Sequence, residues 1–309
     1  MSGQEAWKRT ASFLFVAFAA GFLARAVIRD WRRVQDFSWQ LEPLLLSVSV
    51  ALLLVVLGWG VWVWGRVLRL FGQQVPFPVL ARVFFLSSLA RYLPGKVWQF
   101  VAAARMSGEA GLSGTLLLTS LAVQMGFVLL GASVVAVLAL PSSSLGLEGT
   151  LWPARIAALL VILLLAHPRW LNLGLSLVRR LARREPLEWR GGWGDGLWLV
   201  ALFTVNWVAY GLAFALFVNS LTPVSADTIF PLAGVNALAF VAGYLVIVAP
   251  AGLGVREASM AVLLAPYLPG GVAALVAVLS RLWSVLAEIL GAAAALLFAP
   301  SVARGRVNR

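Results

Sequence analysis

The segment "RYLPGKVWQF" (Arg91–Phe100) interrupts an apolar stretch that otherwise runs from residue 78 to residue 105. Pro94 has no backbone N–H and clashes with the preceding helical turn, and Gly95 allows a sharp bend. The flanking runs "VFFLSSLA" and "VWQFVAAA" each reach roughly 12 Å at 1.5 Å per residue of helix. The segment therefore predicts a helix that is broken in two at Pro94 and Gly95.

The composition around this break is that of a membrane protein. The 309 residues are 61% hydrophobic and 12% charged, with a mean hydropathy of +0.93. A soluble domain carries about twice that charged fraction. We expect an all-α polytopic protein, one transmembrane domain over 1–309, with about seven to eight spans of roughly 20 residues plus two broken or re-entrant segments. The spans are predicted near residues 11–28, 43–65, 113–140, 151–167, 196–219, 229–249 and 272–298.

A second interruption, "APAGLGVREASM" (Ala249–Met260), lies late in the chain. Three helix-breaking residues open it: Pro250, Gly252 and Gly254. Irregular backbone at membrane depth occurs only where protein or water satisfies the freed N–H and C=O groups. Both 78–105 and 250–268 are therefore predicted to be either two half-helices or a hairpin that enters the membrane and turns back.

The two interruptions fall at corresponding places in halves of similar size, 43–167 and 196–298. Paired breaks of this kind are typical of transporters built from inverted repeats, whose half-helices meet at a central site. A basic amphipathic segment, 168–195, joins the halves and is predicted to lie on the cytoplasmic side. Four arginines after the first span conflict with this orientation if the N terminus is also cytoplasmic: Arg25, Arg29, Arg32 and Arg33.

Several function classes are disfavoured by composition. The sequence has no cysteine, which excludes disulfides and thiolate sites, and its single histidine, His167, argues against a zinc centre. No GxxxxGK[ST] motif is present. We therefore expect no metal and no cofactor. The net charge of +12 does not indicate nucleic acid, because the basic residues border apolar spans, where anionic lipid headgroups explain them.

The first break is a candidate binding site. The helix that starts after Gly95 has free N–H groups in its first turn, and Lys96 lies in that turn, where a cation is unfavourable unless an anion is near. With Arg91 it could form a phosphate cradle, and Gln99 lies close to it. The alternative is a kink at the membrane surface, with Arg91 and Lys96 reaching to water.

The second break brings four more charges. Arg256 and Glu257 open a short helix, and Arg281 and Glu288 lie about 10 Å apart on one face of the last span. We expect Glu257 to pair with Arg281 and Arg256 to pair with Glu288. These charges either line a site or form two structural ion pairs, which would leave Arg91 and Lys96 as the substrate contacts. No catalytic residue is predicted; the predicted substrate-binding residues are Arg91, Pro94, Gly95, Lys96, Gln99, Gly252, Gly254, Arg256, Glu257, Arg281 and Glu288.

Four motifs together resemble the lysylphosphatidylglycerol synthase transmembrane-region family, which is also described as flippase-like. They are "RYLPGKVW", "GEAGLS", "APAGLGVREASM" and "SRLWSVLAEI", and the resemblance covers roughly residues 40 to 298. It implies a multi-pass protein of a bacterial or archaeal plasma (inner) membrane that moves a lipid between leaflets. In longer relatives a separate cytosolic domain attaches the amino acid. The 309 residues contain no such domain, so we do not expect this chain to act as an enzyme.

The sequence thus predicts a lipid translocase whose partners are membrane lipids, of an anionic or polyprenyl-phosphate type, and not nucleic acid. The headgroup would enter a polar cavity between the two broken segments. Two alternatives stay open. One is an enzyme that modifies lipid headgroups with a carboxylate as general base, and the other is a non-catalytic subunit of a complex for lipid or glycolipid biosynthesis. The sequence does not predict the oligomeric state.

Overall fold

The structure, a computed structural model, describes residues 25, 28–29, 31–92, 98–141, 152–182, 189–246 and 254–298. Every regular element in these ranges is helical. The α-helices are α1 (Trp31–Gln35), α2 (Pro43–Leu70), α3 (Phe77–Leu89), α4 (Trp98–Met106), α5 (Gly114–Ala139), α6 (Trp152–Leu165), α7 (Pro168–Ala182), α8 (Trp193–Asn219), α9 (Ile229–Leu245), α10 (Val255–Leu264) and α11 (Gly270–Phe298). Short 3₁₀ helices lie at Ala90–Tyr92 and Ala226–Thr228.

Among the described residues, five helical segments are long and apolar enough to cross a membrane: α2, α5, α8, the Ala226–Leu245 segment that contains α9, and α11. The number rises to six if α6 and the first part of α7, bent by 53° at their junction, count as one span. The prediction of a polytopic helical membrane protein is confirmed. The predicted total of seven to eight spans is not confirmed by the described residues. Most of the first predicted span, 11–28, lies outside them.

Close helix contacts depend on small residues. Gly211 of α8 packs so tightly on Ala233 of α9 that a Cβ at position 211 would overlap the Ala233 Cβ. Gly291 of α11 is covered in the same way by the Phe85 ring of α3. Membrane helices favour small residues at such interfaces because dispersion contacts, rather than the hydrophobic effect, drive their association.

Two sets of backbone hydrogen bonds define the ends of the bundle. At one end the N–H of Arg190, before α8, donates to the carbonyl of Leu70 at the end of α2 (2.9 Å). At the other, the N–H of Gln40, before α2, donates to the carbonyl of Leu221, after α8 (3.0 Å). Helices α2 and α8 are therefore antiparallel. We call the first end the basic end, because Arg69, Arg82, Arg105, Arg169 and Arg190 lie on the helix ends and connections there.

The first broken segment forms a hairpin. Helix α3 begins at the basic end, after a connection of six residues from the end of α2. An ion pair of 3.2 Å between Arg82 Nε of α3 and Glu109 Oε2, in the connection after α4, shows that α4 ends where α3 began. The arms have 13 and 9 residues, or about 20 and 14 Å, which is less than the roughly 30 Å of a bilayer core. Of the two predicted alternatives for 78–105, the hairpin is what the structure shows.

In its described residues the predicted segment 250–268 contains one α-helix, α10, and not two half-helices or a hairpin of its own. Helix α10 instead forms a hairpin with α9, which lies in the predicted span 229–249. This hairpin starts from the opposite end of the bundle. Helix α9 enters there, a few residues after α8 ends, and α10 returns beside it. A Cβ at Gly243, near the end of α9, would lie 2.9 Å from the Arg256 Cβ at the start of α10. Helix α11 then runs back to the basic end, where Phe298 and Phe77 line a common cavity. The two hairpins therefore approach the middle of the bundle from opposite sides.

Candidate functional site

The tip of the first hairpin contacts α11 through a buried ion pair. Arg91, in the 3₁₀ turn that follows α3, places Nη2 3.1 Å from Glu288 Oε1. The Arg91 Nε also donates to the carbonyl of Ser88 (3.0 Å), which holds the side chain against its own helix. Only 8% of the Glu288 side chain and 28% of the Arg91 side chain are exposed. A charged pair with so little water contact costs free energy to form unless its geometry is good.

The start of the second hairpin's return arm contacts α11 through another pair. Glu257 Oε1 lies 3.6 Å from Arg281 Nη1, and its Oε2 accepts a 2.7 Å hydrogen bond from the N–H of Gly254. This capping arrangement needs Gly254 at φ +85°, a backbone conformation that side chains with a Cβ avoid. One carboxylate therefore both starts α10 and attaches it to α11.

The predicted pairing of Glu257 with Arg281 is confirmed, and the predicted pairing of Glu288 with Arg256 is wrong. Helix α11 runs toward the basic end, so Glu288 lies two turns closer to that end than Arg281 does. The first hairpin enters from the basic end and brings Arg91 to Glu288, while Arg281 remains at the level of the second hairpin. The alternative in which Arg91 has no nearby acid is also wrong.

Arg256 instead reaches polar groups on α8 and α9. Its Nη2 lies 3.5 Å from the Tyr210 hydroxyl and 3.4 Å from Asn236 Oδ1. The Tyr210 hydroxyl is in turn 3.5 Å from Ser284 Oγ of α11. Asn236 is fully buried, and its Nδ2 has no hydrogen-bond partner among the described residues. A buried donor without an acceptor costs about 1–3 kcal/mol, so this N–H₂ group marks a place where an acceptor from a ligand would be stabilised.

We define the charged cluster as Arg91, Arg256, Glu257, Arg281 and Glu288. Three arginines and two glutamates sum to one positive charge. The cluster lies where the inner ends of both hairpins meet α11. Intramembrane charges are costly and are functional by default. Its guanidinium groups, together with the Tyr210 hydroxyl and the buried Asn236 amide beside Arg256, offer donors that suit an anionic oxygen.

The other predicted site residues have mixed outcomes. Pro94, Gly95, Lys96 and Gly252 lie outside the described residues. Gln99 is half-buried in α4, and its substrate-binding role stays a prediction. The predicted site did not include Tyr210, Asn236 or Ser284, for which their position as polar residues within apolar spans was the signal. Within the described ranges, no three His, Asp or Glu side chains are grouped so as to hold a metal ion.

Comparison with curated proteins and with solved structures gives no match for this chain. The family model described as "Lysylphosphatidylglycerol synthase TM region" matches residues 8–291. This match includes both hairpins and every member of the charged cluster. The chain therefore belongs to the lysylphosphatidylglycerol synthase transmembrane-region family.

Proposed function

We propose that the protein moves a lipid with a phosphate-bearing or otherwise anionic headgroup from one leaflet to the other. The observation that carries this proposal is the charged cluster, which has one excess positive charge and lies beside the buried Nδ2 of Asn236. An anionic headgroup would replace its hydration with these donors while its acyl chains remain in lipid. In this proposal the chain is a transporter of the plasma membrane and not an enzyme.

The order of elements supports a mechanism with access from alternate sides. In the first half a span, a hairpin from the basic end and a second span follow each other as α2, α3–α4 and α5. In the second half the same order recurs as α8, α9–α10 and α11, with the hairpin entering from the opposite end. We propose that halves 43–167 and 196–298 form an inverted repeat, so that each hairpin would control access from one side.

The two ion pairs supply a way to couple the headgroup to hairpin movement. Both join a hairpin to α11: Arg91 with Glu288, and Glu257 with Arg281. An anionic headgroup would compete with Glu288 for the Arg91 guanidinium and thereby release the first hairpin from α11. Because the sequence has no nucleotide-binding P-loop motif, we propose that transport is downhill, ion-coupled or driven by removal of the product.

Lipid scrambling in liposomes tests this function. The purified protein is placed in phosphatidylcholine vesicles that contain a trace of phosphatidylglycerol with a fluorescent acyl chain, and dithionite bleaches the outer leaflet. We expect protein-dependent bleaching beyond the outer-leaflet fraction. Arg256→Gln should slow it by about tenfold or more, the effect of losing a charged hydrogen bond, and Arg256→Lys should retain part of the rate.

Arg155→Gln is the matched control, because Arg155 of α6 donates to the carbonyl of Leu140 and is not part of the charged cluster. The control should leave the rate unchanged. Equal rates for wild-type and Arg256→Gln protein, with both folded by size-exclusion chromatography, would reject the cluster as the headgroup site. Bleaching no faster than in protein-free vesicles would count against translocation of this lipid.

A further inference from the structure

A cavity of about 560 Å³ lies beneath α7, between that helix, α5 and the end of α6. Its walls are apolar, with Leu118, Val123 and Phe127 from α5, Leu165 from α6, and Trp170 and Leu171 from α7. It shares no residue with the charged cluster, so an inference about it stands independently of translocation.

Two glycines line this space. Gly126 of α5 and Gly174 of α7 both line the cavity, and a Cβ built at either position would meet no atom within 4 Å. Helix glycines that serve close packing have a neighbour against them, as Gly211 has Ala233. The two cavity glycines have none, so the gap is not explained by packing within the chain.

The apolar walls of the cavity favour an apolar ligand. Water in a cavity needs two to four polar partners, and these walls supply almost none. The surface of α7 next to the cavity is apolar as well, since Trp170 is 56% exposed and Leu173 is 61% exposed. An amphipathic helix of this kind lies in the interface of a membrane with its apolar face toward acyl chains. An acyl chain is thus the occupant that both the walls and the setting favour.

The basic residues of α7 favour a lipid with an anionic headgroup. The helix carries Arg169, Arg179 and Arg180 and has no acidic residue between Pro168 and Ala182. Arg169 is exposed and directly precedes Trp170 of the cavity wall. Basic residues near a membrane surface attract anionic lipid, at about 1 kcal/mol each.

We propose that this cavity is a second lipid site, which holds one acyl chain of an anionic phospholipid while its headgroup contacts Arg169. The bound lipid would fix α7 against α5 and thereby stabilise the junction between the two halves of the chain. The site differs from the charged cluster in what it binds: there the headgroup is buried, and here the acyl chain is.

Photocrosslinking tests the proposal. The full chain is placed in vesicles of phosphatidylcholine and phosphatidylglycerol that contain a trace of either lipid with a diazirine on its acyl chain. After irradiation and digestion, mass spectrometry measures labelling of the peptides that contain residues 118–130 and 170–175. We expect about fivefold more labelling by phosphatidylglycerol than by phosphatidylcholine, the effect of one basic residue near the headgroup, and competition by unlabelled phosphatidylglycerol.

Two kinds of substitution distinguish binding of the acyl chain from recognition of the headgroup. Gly126→Leu and Gly174→Leu should fill the cavity and abolish specific labelling of both peptides, and Arg169→Gln should remove the preference for phosphatidylglycerol. Gly60→Leu is the matched control, because a Cβ at Gly60 of α2 also meets no atom within 4 Å and Gly60 lies outside the cavity.

Three outcomes would overturn the inference. Equal labelling by the two lipids would reject the anionic headgroup, and unchanged labelling in folded cavity-filling variants would reject the cavity. If those variants fail to fold, a lack of competition by unlabelled phosphatidylglycerol in the wild-type protein would reject a specific site.

Discussion

Removing both partners of the Arg91–Glu288 pair should destabilise the protein by less than the sum of the two single changes. Glu288→Gln leaves the Arg91 guanidinium facing a neutral amide, and Arg91→Gln leaves a buried carboxylate. Glu288→Gln keeps nearly the same side-chain volume, so its effect is mainly one of charge, whereas Arg91→Gln also removes side-chain volume. The double variant Arg91→Gln/Glu288→Gln restores a neutral pair at the same place.

The geometry sets the expected magnitudes. Unit charges about 4 Å apart attract by about 4 kcal/mol at the effective dielectric constant of a protein surface. Breaking a buried pair by removing one partner costs about 3–5 kcal/mol. Since Arg91 retains 28% exposure, we expect a cost below that range, about 2–3 kcal/mol for each single variant, and a coupling of about 1–3 kcal/mol in the double-mutant cycle.

Unfolding in mixed micelles, with a rising mole fraction of sodium dodecyl sulfate, measures these free energies through helix content. The Arg82–Glu109 pair is the matched comparison. Its carboxylate is 39% exposed, so Glu109→Gln should cost about 0–1 kcal/mol, as exposed pairs do. Additive single and double values at Arg91 and Glu288, or a cost at Glu288 no larger than that at Glu109, would refute the reasoning.

Two glycine substitutions test the geometry of the second hairpin. Gly254→Ala should destabilise the start of α10 by about 1–2 kcal/mol, because residue 254 has a positive φ. The unfolding midpoint should fall accordingly. A midpoint equal to that of the wild-type protein would contradict the capping arrangement at Gly254. Gly211→Ala should cost about 1–3 kcal/mol by overpacking against Ala233. Gly60→Ala should be neutral or stabilising in the same titration, because a Cβ at position 60 meets open space. An equal loss of stability in Gly211→Ala and Gly60→Ala would rule out the close contact of α8 with α9.

Much of the fold could be predicted from local chemistry. Apolar runs of sufficient length indicated the long helices, and Pro94 with Gly95 indicated the first break, because proline and glycine act on the backbone wherever they occur. The second break followed from the same chemistry. The sequence left open whether each broken segment crosses or turns back, since that depends on contacts between helices distant in the chain.

The charged cluster was only partly predictable for the same reason. Glu257 and Arg281 follow each other on adjacent helices, so their pairing could be inferred from order alone. The pairing of Glu288 with Arg91 spans most of the chain and depends on the side from which the first hairpin enters. Tyr210 and Asn236 contact Arg256 because α8 packs on α9, and no local pattern encodes that packing.

The Arg82–Glu109 pair has a mechanical consequence. It adds to the packing of the two arms of the first hairpin at their open base, so the arms favour movement as one unit. Displacement of the tip then comes from tilting of that unit. Over an arm of about 20 Å, a tilt of about 10° moves the tip by roughly 3 Å, which is the full length of the contact between Arg91 and Glu288. A small rotation at the base is therefore enough to make or break the central ion pair.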